Sequence, residues 1–316
     1  METMNRRECI IRTLGAGAAV SALQMVSTPP SQAFPRPTKN AISLAAWSLV
    51  KSFRANIIKL TDVAGICRKD FGIDGIEHVN QFFENPVETY LKRLNKAAAD
   101  NGVQNALIMV DDEGDMIAKD KKTRMQAALN HRKWVEIAAY LGCHAIRCNA
   151  RGGGNSLAED PDSLDRAAEA FGDLLEYARP FKINVVIENH GGISSDPQWL
   201  PALCKKINSA DFGVLPDYGN YGNLSPEQRA DAVRKVMPYA KGVSVKAGWL
   251  ADHTHPSYDL GAMLKVSMDC GYSGFWGIES GIRDAKATSP DEIKKSDWQA
   301  VLWTKAVIEK VVFGKA

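Results

Sequence analysis

Eight times from residue 41 onward, a short apolar run is followed by a longer amphipathic stretch, at spacings of roughly 30 to 40 residues. The strand-like runs are 41–48, 75–77, 104–110, 145–149, 184–188, 212–216, 242–246 and 275–278. Helical patterns fill 56–71, 86–102, 123–141, 163–181, 197–206, 226–237, 259–270 and 297–312. A chain that leaves one strand through a helix re-enters the sheet at the opposite end, so such strands lie parallel. No dinucleotide-type glycine fingerprint follows the first run. Eight units without it predict an α/β chain folded as a single (β/α)8 TIM barrel over 40–316 rather than an open sheet.

Barrels of this kind place their chemistry at the C-terminal strand ends. Three of those ends share one grammar. Val185-Val186-Ile187-Glu188 runs into Asn189-His190-Gly191-Gly192. Phe212 to Pro216 runs into Asp217-Tyr218-Gly219-Asn220, and Phe275-Trp276-Gly277-Ile278 into Glu279-Ser280-Gly281. A carboxylate at the end of a buried strand needs a partner, because an unpaired buried charge costs several kcal/mol, roughly, or neutralises. Glu188, Asp217 and Glu279 are therefore expected to converge on one divalent metal. Hard anionic oxygens suit Mn, Mg or Co, with Zn favoured by more nitrogen or sulfur. The competing reading is three helix-capping or salt-bridged carboxylates.

Other polar residues sit near the same ends. Strand alternation puts Ser244 and Lys246 on one side. Lys246 can stabilise an oxyanion, protonate a leaving group, or simply pair with Glu279. His190 is a candidate for a sugar hydroxyl or for a turn. Asn149 is a substrate contact, with Arg147 deeper as an ion-pair partner. Glu77 ends the second run and either binds substrate or pairs with Arg147. Trp47, Trp249 and Trp276 offer indole faces to a sugar ring or to the core.

The order and spacing of the three tips resemble the sugar phosphate isomerase/epimerase-like superfamily, the xylose isomerase-like TIM barrels, over residues 40–312. In the epimerase branch Glu, Asp, His and Glu from strands five to eight hold a metal. The resemblance implies ligand roles for Glu188, Asp217 and Glu279, with Glu188 and Glu279 also moving protons. The chain departs from the pattern twice. Ser244 stands where strand seven usually carries His, and Asn220 where the strand-six Asp is often followed by His. Either three protein ligands and water complete the site, or a histidine of Asp252-His253-Thr254-His255 reaches in. His253, His255 and Trp249 are alternatively substrate contacts, and the two histidines equally read as part of a solvated loop.

A metal holding two adjacent sugar oxygens acidifies the neighbouring C–H and stabilises the enediolate. The expected function is a metal-dependent isomerase or epimerase. The alternatives are a lyase or hydratase of keto-sugars or 3-keto-glycosides, and a non-catalytic exported carbohydrate-binding barrel. The partner is a small-molecule carbohydrate; the oligomeric state is left open. A net charge of +2 argues against a nucleic-acid footprint. Residues 1–33, with Arg6-Arg7 before a small-residue run from Leu14 to Val26, read as a twin-arginine-like export signal and not a stable membrane anchor. Export, to the periplasm, favours an unphosphorylated sugar. The scattered cysteines (67, 143, 148, 204 and 270) read as small buried hydrophobes.

Overall fold

A computed structural model describes residues 39–222 and 224–315. All of the described residues fall in one unit of the chain. The expected export signal lies outside the described residues.

The apolar runs form eight parallel strands: β1 (Ala41–Ala45), β2 (Gly75–Val79), β3 (Gln104–Met109), β4 (Ala145–Cys148), β5 (Asn184–Glu188), β6 (Phe212–Leu215), β7 (Val243–Trp249) and β8 (Phe275–Ile282). They pair in the order β6-β5-β4-β3-β2-β1-β8-β7. Parallel bridges Val214–Ala240 and Asp217–Ser244 join the two ends of that order and close the cylinder. The expected (β/α)8 barrel is the fold. Both faces of a barrel strand are covered, one by interior side chains and one by helices. Val185, Val186 and Ile187 are accordingly all buried, which is why β5 reads as a continuous apolar run.

The outer helices are α1 (Val50–Arg54), α2 (Val63–Ile66), α3 (Glu88–Asn101), α4 (Lys121–Leu141), α5 (Ser163–Ala178), α6 (Trp199–Ile207), α7 (Pro226–Val236), α8 (Leu260–Asp269) and α9 (Pro290–Val312). Their ends follow local chemistry. Asp120 accepts from the Thr123 amide to start α4, and Ser225 and Ser289 form capping boxes with Gln228 and Glu292 ahead of α7 and α9. No helix among the described residues is long and apolar enough to cross a membrane. Cys67, Cys143, Cys148 and Cys204 are buried and free, whereas Cys270, just past α8, is exposed.

Three strands run further than the sequence pattern indicates, and this moves side chains between layers. β2 continues to Val79, so Glu77 lies mid-strand inside the barrel rather than at its rim. Ser43 Oγ donates to Glu77 Oε1 at 2.6 Å. Gly277 makes room for it: a Cβ there would lie 2.2 Å from the same oxygen. β7 continues to Trp249, three residues after Lys246 and therefore on the opposite face. β8 continues to Ile282, which leaves Glu279 within a strand.

Candidate active site

The site is built at the C-terminal mouth. Glu188 ends β5, Asp217 follows β6, and Glu279 lies in β8. One oxygen from each lies within 4.8 Å of the others. The carboxylate cluster expected from the three tips is present.

Two asparagines hold the strand ends in register. The Asn189 amide donates to the Asp217 carbonyl and accepts from the Asp217 N–H, both at 2.8 Å. Asn80, past β2, does the same for Asp111, past β3, at 2.8 and 2.9 Å. Each amide satisfies two backbone groups that the sheet ladder leaves open, and each fixes a carboxylate on the next strand.

Two cations meet the carboxylates. Arg147 in β4 places Nη1 2.8 Å from Asp111 Oδ1 and Nε 2.8 Å from Glu188 Oε2. The second approach is a charge contact rather than an aligned hydrogen bond, because neither atom has a hydrogen-bond partner. Lys246 Nζ lies 2.6 Å from Glu279 Oε1 and 3.3 Å from Asp217 Oδ2. Ser244 Oγ also donates to Asp217 Oδ2, at 2.9 Å. Asp217 Oδ1 accepts the Gly219 and Asn220 amides at 2.7 and 3.0 Å, and the Asn220 side chain donates to Glu188 Oε1 at 2.9 Å.

These contacts split the acids. Burial lifts the Glu279 carboxyl, but Lys246 more than offsets it and holds the group below the usual range. Burial raises Asp217 to about 7 against the pull of Lys246, and raises Glu188 against that of Arg147. Burial works against the Lys246 charge, yet Asp217 and Glu279 raise its pKa, so it remains an ammonium. For Asp111, Arg147 and Asn149 outweigh burial and keep the carboxyl low.

A cleft of about 710 Å3 reaches the cluster at Glu279, within the range of small-ligand sites. Glu279, Arg147, Asn149, His190, Asp111 and Trp47 line it, as do Arg54, Arg151, Asp112 and Asp115. Burial, together with repulsion from Arg147 and Lys246, lowers His190 to about 4, so its ring is neutral near pH 7. Its Nδ1 lies 3.0 Å from Asn149 Oδ1 and 3.1 Å from Arg151 Nη2.

The family model of the xylose isomerase-like TIM barrel matches residues 68–296. The chain belongs to this family. No curated protein matches it. Solved structures do, as folds. A 3-keto-D-glucoside 4-epimerase from E. coli, in its apo form, is 14% identical, with TM-score 0.62, over 78% of this chain and 94% of that one. D-allulose 3-epimerase from Methylomonas sp. is 14% identical, with TM-score 0.63, over 87% and 99%. The IOLI protein, solved with a binding zinc atom, is 13% identical, with TM-score 0.67, over 87% and 98%.

The three acids bring together oxygens of the kind a cation takes, but their present contacts leave it little room. A carboxylate accepts about four hydrogen bonds, and Asp217 already meets Gly219, Asn220, Ser244 and Lys246. No histidine or cysteine among the described residues joins the three acids. Lys246 brings a positive charge to two of the oxygens that an ion would share. As placed, these residues do not fit a divalent ion.

Of the expected site residues, the mouth gathers Glu188, Asp217, Glu279, Lys246, Asn220, His190 and Asn149. It does not gather the other four. Glu77 is buried within the barrel, bonded to Ser43 and not to Arg147. Trp249 points outward, its Nε1 donating to Thr304 of α9 at 2.9 Å. Trp303 of α9 stacks on the exposed His253, with centroids 4.4 Å apart, and His255 packs on Trp249 and Tyr258. Neither histidine substitutes in the cluster. Trp276 is buried at the other end of β8, beside Asn40, while Trp47 lines the cleft and reaches Asp111. Asp111, Asn80 and Asn189 carry structural weight that the sequence reading did not assign to them. The visible signal was a polar residue directly after an apolar strand, the same signal that marked Glu188.

Proposed function

We propose that this protein is an isomerase or epimerase of an unphosphorylated sugar, working by proton transfer at the carbon beside a carbonyl. The observation that carries the reading is the opposite electrostatic setting of two neighbouring acids. Glu279 lines the cleft and is held ionised by Lys246; Glu188, with an oxygen within 4.8 Å of one of Glu279, is lifted by burial. Pairs of acids pushed apart in this way divide base from acid. Glu279 takes the proton from carbon. The electron pair moves into the new carbon–carbon double bond, and the carbonyl oxygen becomes an oxyanion. Glu188 supplies the proton that returns. The neutral His190 donates a hydrogen bond to a substrate oxygen, and Asn149 orients a hydroxyl.

The lining supports an uncharged ligand. It carries four acids, Asp111, Asp112, Asp115 and Glu279, against three arginines, Arg54, Arg147 and Arg151, and Arg147 is already engaged by Asp111 and Glu188. The lining therefore offers a phosphate no excess of positive charge. The exported location expected from residues 1–33 accords with such a substrate. The expected metal dependence finds partial support in the carboxylate cluster and in the zinc of the IOLI structure, and none in the filled acceptors of Asp217.

The test is isotope exchange. Incubated in D2O with a panel of free ketoses, aldoses and 3-keto-glucosides, the protein should place deuterium at one carbon and return products of otherwise unchanged mass. Glu279→Gln should slow this by about 10^2- to 10^4-fold, the usual worth of a general base. Release of water or an aglycone would reassign the protein as a lyase. Sugar binding that persists in Glu279→Gln, with no exchange in either protein, would make it a binding barrel.

A further inference from the structure

We propose that the Lys246 ammonium is the resident cation of this site, holding the place that an ion shared by the acids would have to take and supplying the charge against which the oxyanion forms. The inference rests on reading the trio as a reaction centre, and its test is chosen so that the two can fail separately.

The fold puts Lys246 there by construction. Strand alternation points Ser244 and Lys246 inward together, and the register of β7 on β8 sets Lys246 opposite Glu279. The stem has a dedicated lane. At Gly219 a Cβ would stand 3.0 to 3.3 Å from three of its methylene carbons, so a larger residue after Tyr218 would press on the lysine stem. The head then reaches Glu279 at 2.6 Å and Asp217 at 3.3 Å. Arg147 answers the third acid, Glu188. All three acids thus have a cationic side chain in contact, and an ion bound to the same oxygens would face an ammonium at contact distance.

The chemistry follows. An ammonium donates hydrogen bonds and cannot accept a lone pair into its coordination sphere, so it favours an oxyanion by charge and N–H direction. Beside Glu279 it does two things at once: it keeps the base ionised and stands next to the oxygen that becomes negative as the base takes its proton.

The experiment reads metal content, not activity. The full protein is produced with Mn, Co, Zn and Mg supplied in turn, analysed for bound metal, and titrated calorimetrically with Mn2+. The wild type is expected to carry no stoichiometric metal and to give no binding isotherm. Lys246→His, which replaces the ammonium with a neutral nitrogen donor, is expected to take up one equivalent, whereas Lys246→Arg, which keeps the charge, is expected to stay empty. One equivalent of chelator-removable metal in the wild type or in Lys246→Arg overturns the inference. So does a folded Lys246→His protein as empty as the wild type, because the acids would then not form a cation site at all. Absent isotope exchange with an empty wild type and a loaded Lys246→His protein would sink the isomerase reading and leave this one standing.

Discussion

Glu77 shows how one residue's layer decides its role. Its sequence context, an acid near a strand end, is the same as that of Glu188, yet it lies buried with one oxygen unpartnered beneath the site. Burial raises its pKa from 4.5 to about 7, with Ser43 pulling the other way. Between those two values the folded protein keeps a proton that the unfolded chain has released. Stability from this group is therefore complete below about pH 4.5 and falls as pH rises towards 7, by at most about 3 kcal/mol. Glu77→Gln should remove that slope, leaving the variant at least as stable as the wild type at pH 8. Urea unfolding at pH 5 and pH 8 measures it; an unchanged difference between the two pH values in the variant would exclude Glu77 as the source. The sequence could not show this, because the strand's length, and so the depth of the acid, depends on pairing with β1 and β3.

At the scale of elements, alternation and end chemistry were legible, and strand termini were not. All eight runs became strands because a strand covered on both faces must be apolar throughout. α9 begins at Pro290 rather than near residue 297, and its start was written in the Ser289–Glu292 capping box, a signal the apolar periodicity passed over. Trp249 lies away from the mouth for a reason of parity: three further residues of β7 turn the indole outward to α9, and the loop that carries His253 and His255 starts from there. The strand ends themselves are set by the amide clamps. Replacing Asn189 with Leu leaves the Asp217 N–H and carbonyl buried without partners, at about 1–3 kcal/mol each. Asn189→Leu should lower the denaturation midpoint accordingly, and exchange activity should fall with it, since Asp217 loses its anchor. Equal stability of the variant and the wild type would show that the clamp is dispensable.

Across the whole molecule, closure and chemistry share one seam. β6 and β7 meet through two bridges and the hydrogen bonds around them, including Ser244 N–H to the Pro216 carbonyl at 2.8 Å and Tyr218 N–H to the Ser244 carbonyl at 3.3 Å. By contrast, β7 and β8 pair continuously from Val243 to Trp249. A short ladder opens locally at lower cost than a long one. At the mouth, Ser244 and Lys246 both reach across the seam to Asp217, so groups that set the charge of the site also help tie the cylinder shut. Lys246→Met should therefore speed amide exchange at Ser244 and Tyr218 while leaving the β1–β8 ladder unchanged, read residue by residue by hydrogen–deuterium exchange. Uniform acceleration around the barrel would mean that the lysine contributes only to global stability. No acceleration at the seam would mean that the barrel closes without it, and that the ammonium between Asp217 and Glu279 serves the site alone.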